Sequence, residues 1–185
     1  MKLKNKLNLN HSFNTKDTAM KKLTILIAIL LVVGFSTNAF AQVTATASTT
    51  ATIVTPIGIS NAANMNFGNV AINASAGTVV LTPAGSRSST GGVTLPATAG
   101  TVTAAAFAVT GSGNYTYTIT LPGGPITLNA GPVTVGTFVS NPSGTGTLTA
   151  GAQTVTVGAT LNLPAGTTAG SYTNAAGLAV TVNYN

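Results

Sequence analysis

The chain has no cysteine and no tryptophan, and charge is nearly absent from most of its length. Of its 185 residues seven are Lys or Arg and one is acidic. Lys2, Lys4, Lys6, Lys16, Lys21 and Lys22 come before residue 23, as do His11 and the acid Asp17. From residue 42 onward Arg87 is the one charged side chain, with no Asp, Glu, His, Lys or Cys. Each absence excludes a class of chemistry. General acid-base catalysis needs a titratable group poised near ambient pH, and covalent nucleophiles need a base beside them. No catalytic residue is expected, and the protein is read as a non-enzyme without cofactor. A zinc site lacks His and Cys, and a calcium site lacks carboxylates. Nucleic-acid binding requires several cations along a phosphate backbone, and one arginine does not supply them. Without cysteine, the fold relies on packing and strand pairing alone.

The basic residues belong to an export signal. Met20-Lys21-Lys22 precedes an apolar run over 23–33, and Ala39-Phe40-Ala41 fits the small-x-small cleavage rule. Residues 20–41 therefore read as a signal peptide cleaved before Gln42, with secretion to the extracellular space or cell surface. The alternative is a membrane anchor, but the run is shorter than the roughly 20 apolar residues a spanning helix needs. No membrane span is expected in the mature chain, and the lack of cysteine excludes a lipoprotein anchor. Residues 1–19 carry no targeting pattern and read as a dispensable extension, with Met20 as the initiator.

Beyond residue 41 the composition is that of β structure. Thr and Val recur at alternate positions, Gly and Pro punctuate the chain, and no stretch shows the 3.6-residue period of an amphipathic helix. Strands are expected at 43–54, 65–71, 77–82, 92–95, 105–110, 115–121, 133–139, 154–163 and 177–184. Leu178, Val180, Val182 and Tyr184 alternate with Ala179, Thr181 and Asn183, and Tyr115, Tyr117, Ile119 and Leu121 alternate with threonines. Each strand has one apolar face and one that can meet water. Gly111-Ser112-Gly113-Asn114 and Pro122-Gly123-Gly124-Pro125 are expected turns. The competing reading, low-complexity disorder, does not account for the regular β-branched alternation. The expected architecture is one antiparallel β-sandwich over 55–185, preceded by an extended segment at 42–54.

Short motifs carry little chemistry. Gly144-Thr145-Gly146 lacks the third glycine and following helix of a nucleotide loop. Two Val-Thr-Val-Gly units, at 133–136 and 155–158, do not extend into a solenoid repeat. The sequons at Asn73 and Asn114 are read as coincidence. Arg87 lies in a Gly- and Ser-rich stretch, where a solvated charge competes with contact to a surface glycan or neighbouring subunit. Tyr115, Tyr117, Tyr172 and Tyr184 suit sheet faces better than sugar platforms.

Met65-Asn66-Phe67-Gly68, the 77–83 strand with Gly85-Ser86-Arg87, Ala106-Phe107-Ala108-Val109-Thr110-Gly111, and Gly170-Ser171-Tyr172 followed by Val180-Thr181-Val182-Asn183-Tyr184 resemble the secreted bacterial domain-of-unknown-function family 4402. The layout also looks like spore coat protein U and archaic chaperone-usher pilin domains, many of which carry a cysteine pair absent here. That resemblance implies an immunoglobulin-like, pilin-like sandwich with a structural or adhesive role, and a periplasmic chaperone and usher as partners. Pilins of that kind lack a final strand and are completed by the N-terminal segment of the next subunit. Here the matching segment would present Val43, Ala45, Ala47, Ala51 and Ile53 on one face. Two readings stay open for it: a donor strand for a neighbour, or the chain's own first strand. A monomeric binding module for glycans or host proteins is the alternative function.

Overall fold

Among the described residues the period-two alternation is realised as ten antiparallel strands with short turns between most of them. The computed structural model describes residues 18–29, 42–129, 131–175 and 177–185. These fall into two units, Met1–Thr50 and Ala51–Asn185. In the first, residues 18–29 form an exposed helix. Among the described residues no helix is long and apolar enough to cross a membrane. Residues 1–17, the end of the apolar run and the Ala39-Phe40-Ala41 cleavage motif lie outside the described residues.

The strands of the second unit are β1 (Gly58–Ala63), β2 (Ala71–Leu81), β3 (Arg87–Thr94), β4 (Ala105–Thr110), β5 (Thr116–Thr120), β6 (Ile126–Thr127), β7 (Thr134–Asn141), β8 (Thr145–Thr147), β9 (Ala152–Leu163) and β10 (Thr181–Tyr184). Strand β9 is the spine of the larger sheet. Its first half pairs with β4 and its second half with β2. Strand β7 pairs from Thr156 to Asn162, overlapping both, so β4 and β2 follow one another along one edge of β9 while β7 occupies the other. Strands β1, β3 and β6 extend this sheet outward from β4, β2 and β7. The smaller sheet runs β10-β5-β8. The fold is an all-β antiparallel sandwich. Strands β1-β4-β9-β7 run across the larger sheet, and β10-β5-β8 form the smaller one.

Two clusters fill the sandwich. One gathers Phe107, Val109, Tyr117, Ile119, Leu148, Val155, Val157 and Val182 between the two sheets. The other gathers Val79, Val93, Val133, Val135, Ala159, Leu161 and Leu163 where β2, β3 and β7 meet the second half of β9. Met65 and Phe138 pack against both. Full burial of each Val or Leu contributes about 1.5–3 kcal/mol, and these side chains do the work that disulfides do elsewhere.

The strand expected at 105–110 coincides with β4, and those at 115–121, 133–139 and 154–163 correspond to β5, β7 and β9. Three expectations are corrected. Residues 43–54 belong to no strand. The segment 65–71 makes one bridge, Asn66 to Thr103, and then turns. There the Asn66 side chain accepts the Gly68 amide at 2.8 Å, and Gly68 sits at φ 69°. The segment 177–184 keeps its alternation but pairs only over Thr181–Tyr184. Strands β1, β6 and β8 were not expected, and β3 begins five residues earlier than its apolar end at 92–95 suggests.

Candidate functional site: an open strand edge and an N-terminal arm

Strand β10 pairs with β5 from Thr181 opposite Thr120 to Tyr184 opposite Tyr117. Its outer edge has no strand partner among the described residues. Val182 is buried, and Leu178, Val180 and Tyr184 are half-buried against the first core cluster, together with Ile57 and Ile59. An apolar face thus continues past the paired strand, beneath backbone groups that lack a ladder. Such an edge is a template for another extended chain. Strand β1 lies alongside, at the margin of the facing sheet.

Tyr184 fixes the end of that edge. Its hydroxyl accepts the Ser112 amide at 2.6 Å and donates to the Thr55 carbonyl at 2.9 Å. Its ring lies 5.6 Å from that of Tyr115, tilted by 58°. Ser112 belongs to the expected turn, which has Asn114 at φ 62°. The chain is therefore held at Thr55 and packed at Ile57 before β1 begins.

Upstream of that point the residues are exposed. Val43 is 90% and Ile53 97% accessible, and Ala45, Ala47 and Ala51 are exposed as well. No residue from 42 to 57 lies in a strand. Among the described residues the first strand is β1, so the reading of 43–54 as the domain's own first strand is not met there. Two large β-branched side chains left in water have no stabilising role in the isolated chain.

Arg87 is placed differently from the solvated charge expected of its turn-rich surroundings. It opens β3, and its guanidinium donates to the carbonyls of Phe67 (2.5 Å), Asn69 (2.8 Å) and Ala99 (3.4 Å). The planar fork reaches carbonyls on two separate loops at once, a geometry that lysine does not reproduce. Gly68 has to be glycine there: besides its positive φ, a Cβ would run into the Ala99 carbonyl and crowd the guanidinium. Half-buried Arg87 is a clamp on the Phe67-Gly68-Asn69 turn.

The tyrosines are likewise occupied. Tyr117 is fully buried and its hydroxyl donates to Gln153 Oε1 at 2.7 Å; burial pushes its phenol above the ordinary value of 10.0. Tyr172 packs into the second cluster and donates to the Thr168 carbonyl at 2.9 Å. Asn129 ties the same stretch down by accepting from the Thr173 amide at 3.1 Å and donating to the Ser171 carbonyl at 2.7 Å. Tyr115, 43% accessible, is the exposed member of the four.

The residues that hold these turns coincide with the stretches that carry the resemblance. The family model described as a domain of unknown function (DUF4402) matches residues 57–184. The chain belongs to the DUF4402 family. The match begins at Ile57, two residues after the Thr55 carbonyl that Tyr184 holds, and so covers the sandwich without the exposed segment. Searches of curated proteins and of solved structures returned no match to this DUF4402 chain.

Proposed function

We propose that this DUF4402 protein is an exported, non-enzymatic structural or adhesive component of the bacterial surface, whose subunits join by strand donation. The observation that carries the reading is the pairing of two incomplete features. Among the described residues strand β10 has an open outer edge over an apolar face, and residues 43–53 alternate apolar and hydroxyl side chains, interrupted at Thr49, without a strand of their own. Insertion of that segment beside β10 of a neighbour would complete both ladders and cover Leu178 and Val180. Donor and acceptor are different surfaces of one molecule, so the contact is heterologous and propagates as a filament. The near absence of charge from residue 42 onward agrees with this, because no self-repulsion keeps copies apart. A periplasmic chaperone would hold the open edge before assembly, and an usher would order the exchange.

The experiment is export of the chain in its native host, with and without residues 42–53. Full-length protein should form ladders of oligomers or filaments, and the truncated protein should fold, or remain chaperone-bound, without polymerising. Unfolding of the truncated protein, or a wild type that stays monomeric at high concentration beside its assembly factors, would defeat strand donation. A monomer whose melting temperature rises with an added glycan would then favour a binding module, with Tyr115 as its first candidate contact.

A further inference from the structure

The chain contains two glutamines, and they stand in opposite circumstances. Gln153 is half-buried and fixed in β9, where its Oε1 accepts the Tyr117 hydroxyl at 2.7 Å and the Thr147 amide at 2.9 Å. Gln42 is exposed, outside every strand, and directly follows Ala39-Phe40-Ala41. We propose that Gln42 closes to a pyroglutamate once the leader is removed, leaving the arm without charge. This rests on the export reading above, because the reaction needs Gln42 to be the first residue.

The chemistry requires no co-reactant. An α-amino group has a pKa of about 7.7–8.0, so a fraction is free base at neutral pH. Its nitrogen attacks Cδ of its own side-chain amide, an N–Cδ bond forms, one proton of the attacking amine passes to Nε2, the Cδ–Nε2 bond breaks, and Nε2 leaves as ammonia. The product is a neutral five-membered lactam. Closure needs the side chain to swing back on the terminal nitrogen, and an exposed residue outside any ladder is free of the backbone pairing that would oppose it. The consequence is electrostatic. Residues 43–54 contain no ionisable side chain, so an α-ammonium would be the arm's one charge, and a charge carried towards an apolar groove resists desolvation.

Intact-mass spectrometry of protein exported by its native host tests this. The expected mass is that of residues 42–185 less one ammonia, with the N-terminus blocked to stepwise sequencing until a pyroglutamyl aminopeptidase opens it. A Gln42→Ala protein handled identically should be sequenceable from its first residue. Wild-type chain beginning at Gln42 with a free amine would overturn cyclisation and leave the export reading standing. Chain that keeps Lys21 and Lys22 would overturn cyclisation by removing the leader cleavage on which it rests.

Discussion

Strand β9 has partners along both edges from Thr156 to Asn162, whereas β10 has β5 on one edge and no strand on the other among the described residues. Both strands face the same core with the same alternation. In β9 the pattern buries Val155, Val157, Ala159, Leu161 and Leu163 over twelve residues. Towards β10 it runs Leu178, Val180, Val182, Tyr184, but only four residues pair and only Val182 is buried. Side-chain pattern does not separate the two segments; hydrogen-bonding partners do. A strand extends as far as something pairs with it, and the apolar residues before Thr181 are half-covered for want of a neighbour.

Substitutions can break this contrast. Val157→Asp, at a fully buried position in β9, places an unpaired carboxylate in the core and should abolish folding, read as loss of a cooperative denaturation transition. Arg87→Gln removes the charged fork from the carbonyls of Phe67, Asn69 and Ala99 and should cost about 2–3 kcal/mol in urea unfolding. Arg87→Lys should recover part of that loss, whereas a merely solvated arginine would tolerate both changes. Tyr184→Phe deletes the donor to Thr55 and the acceptor for Ser112, at about 1 kcal/mol, and should increase amide exchange near Thr55. Ala47→Asp, at an exposed arm position, should leave monomer stability within about 0.5 kcal/mol while blocking polymerisation. The two aspartate variants together sharpen the comparison, since the same carboxylate is lethal to folding in one segment and silent in the other.

The smallest effect concerns pH. Without Asp, Glu or His beyond residue 41, folded and unfolded states of the sandwich should bind nearly equal numbers of protons from about pH 4 to 9, so melting curves there should overlap. The Tyr117 phenol is raised above 10.0 by burial, so the folded state holds that proton more tightly than the unfolded chain. Its contribution is fully present below pH 10.0 and is lost as pH rises through the folded value, so stability should decline only in that alkaline range. A large drop in melting temperature on acidification would contradict the absence of titrating partners.

Much of the fold was legible because alternation is a local code. Tyr117, Ile119 and Val182 were expected on apolar, inward faces, and they are buried, as are Val155 and Val157 of the expected 154–163 strand. What was not legible depended on partners distant in sequence. Strand β8 reads as a weak Gly-Thr-Gly stretch, yet it pairs with β5, and the Tyr117 ring occupies the space where a side chain on Gly146 would stand. The β1 residues Gly58, Ser60, Asn61 and Ala62 have poor strand propensity and pair because β4 offers them an edge. Arg87 looked solvated because nothing in the stretch around it reveals that the carbonyls of Phe67 and Asn69 return to it. The open edge of β10 was hidden for the same reason: alternation specifies a face, and pairing is settled by the rest of the molecule.

The cysteine-free background allows a direct test of strand donation. One cysteine would be scanned through Ala45, Ala47, Ala51 and Ile53 of the arm and a second placed at Leu178, Val180 or Asn183, followed by mild oxidation of the exported protein. The account predicts that pairs in register yield a ladder of covalent oligomers that collapses to monomer on reduction, with neighbouring registers silent. Cross-linking confined within single chains, or thiols that stay free at every register in concentrated protein, would contradict it.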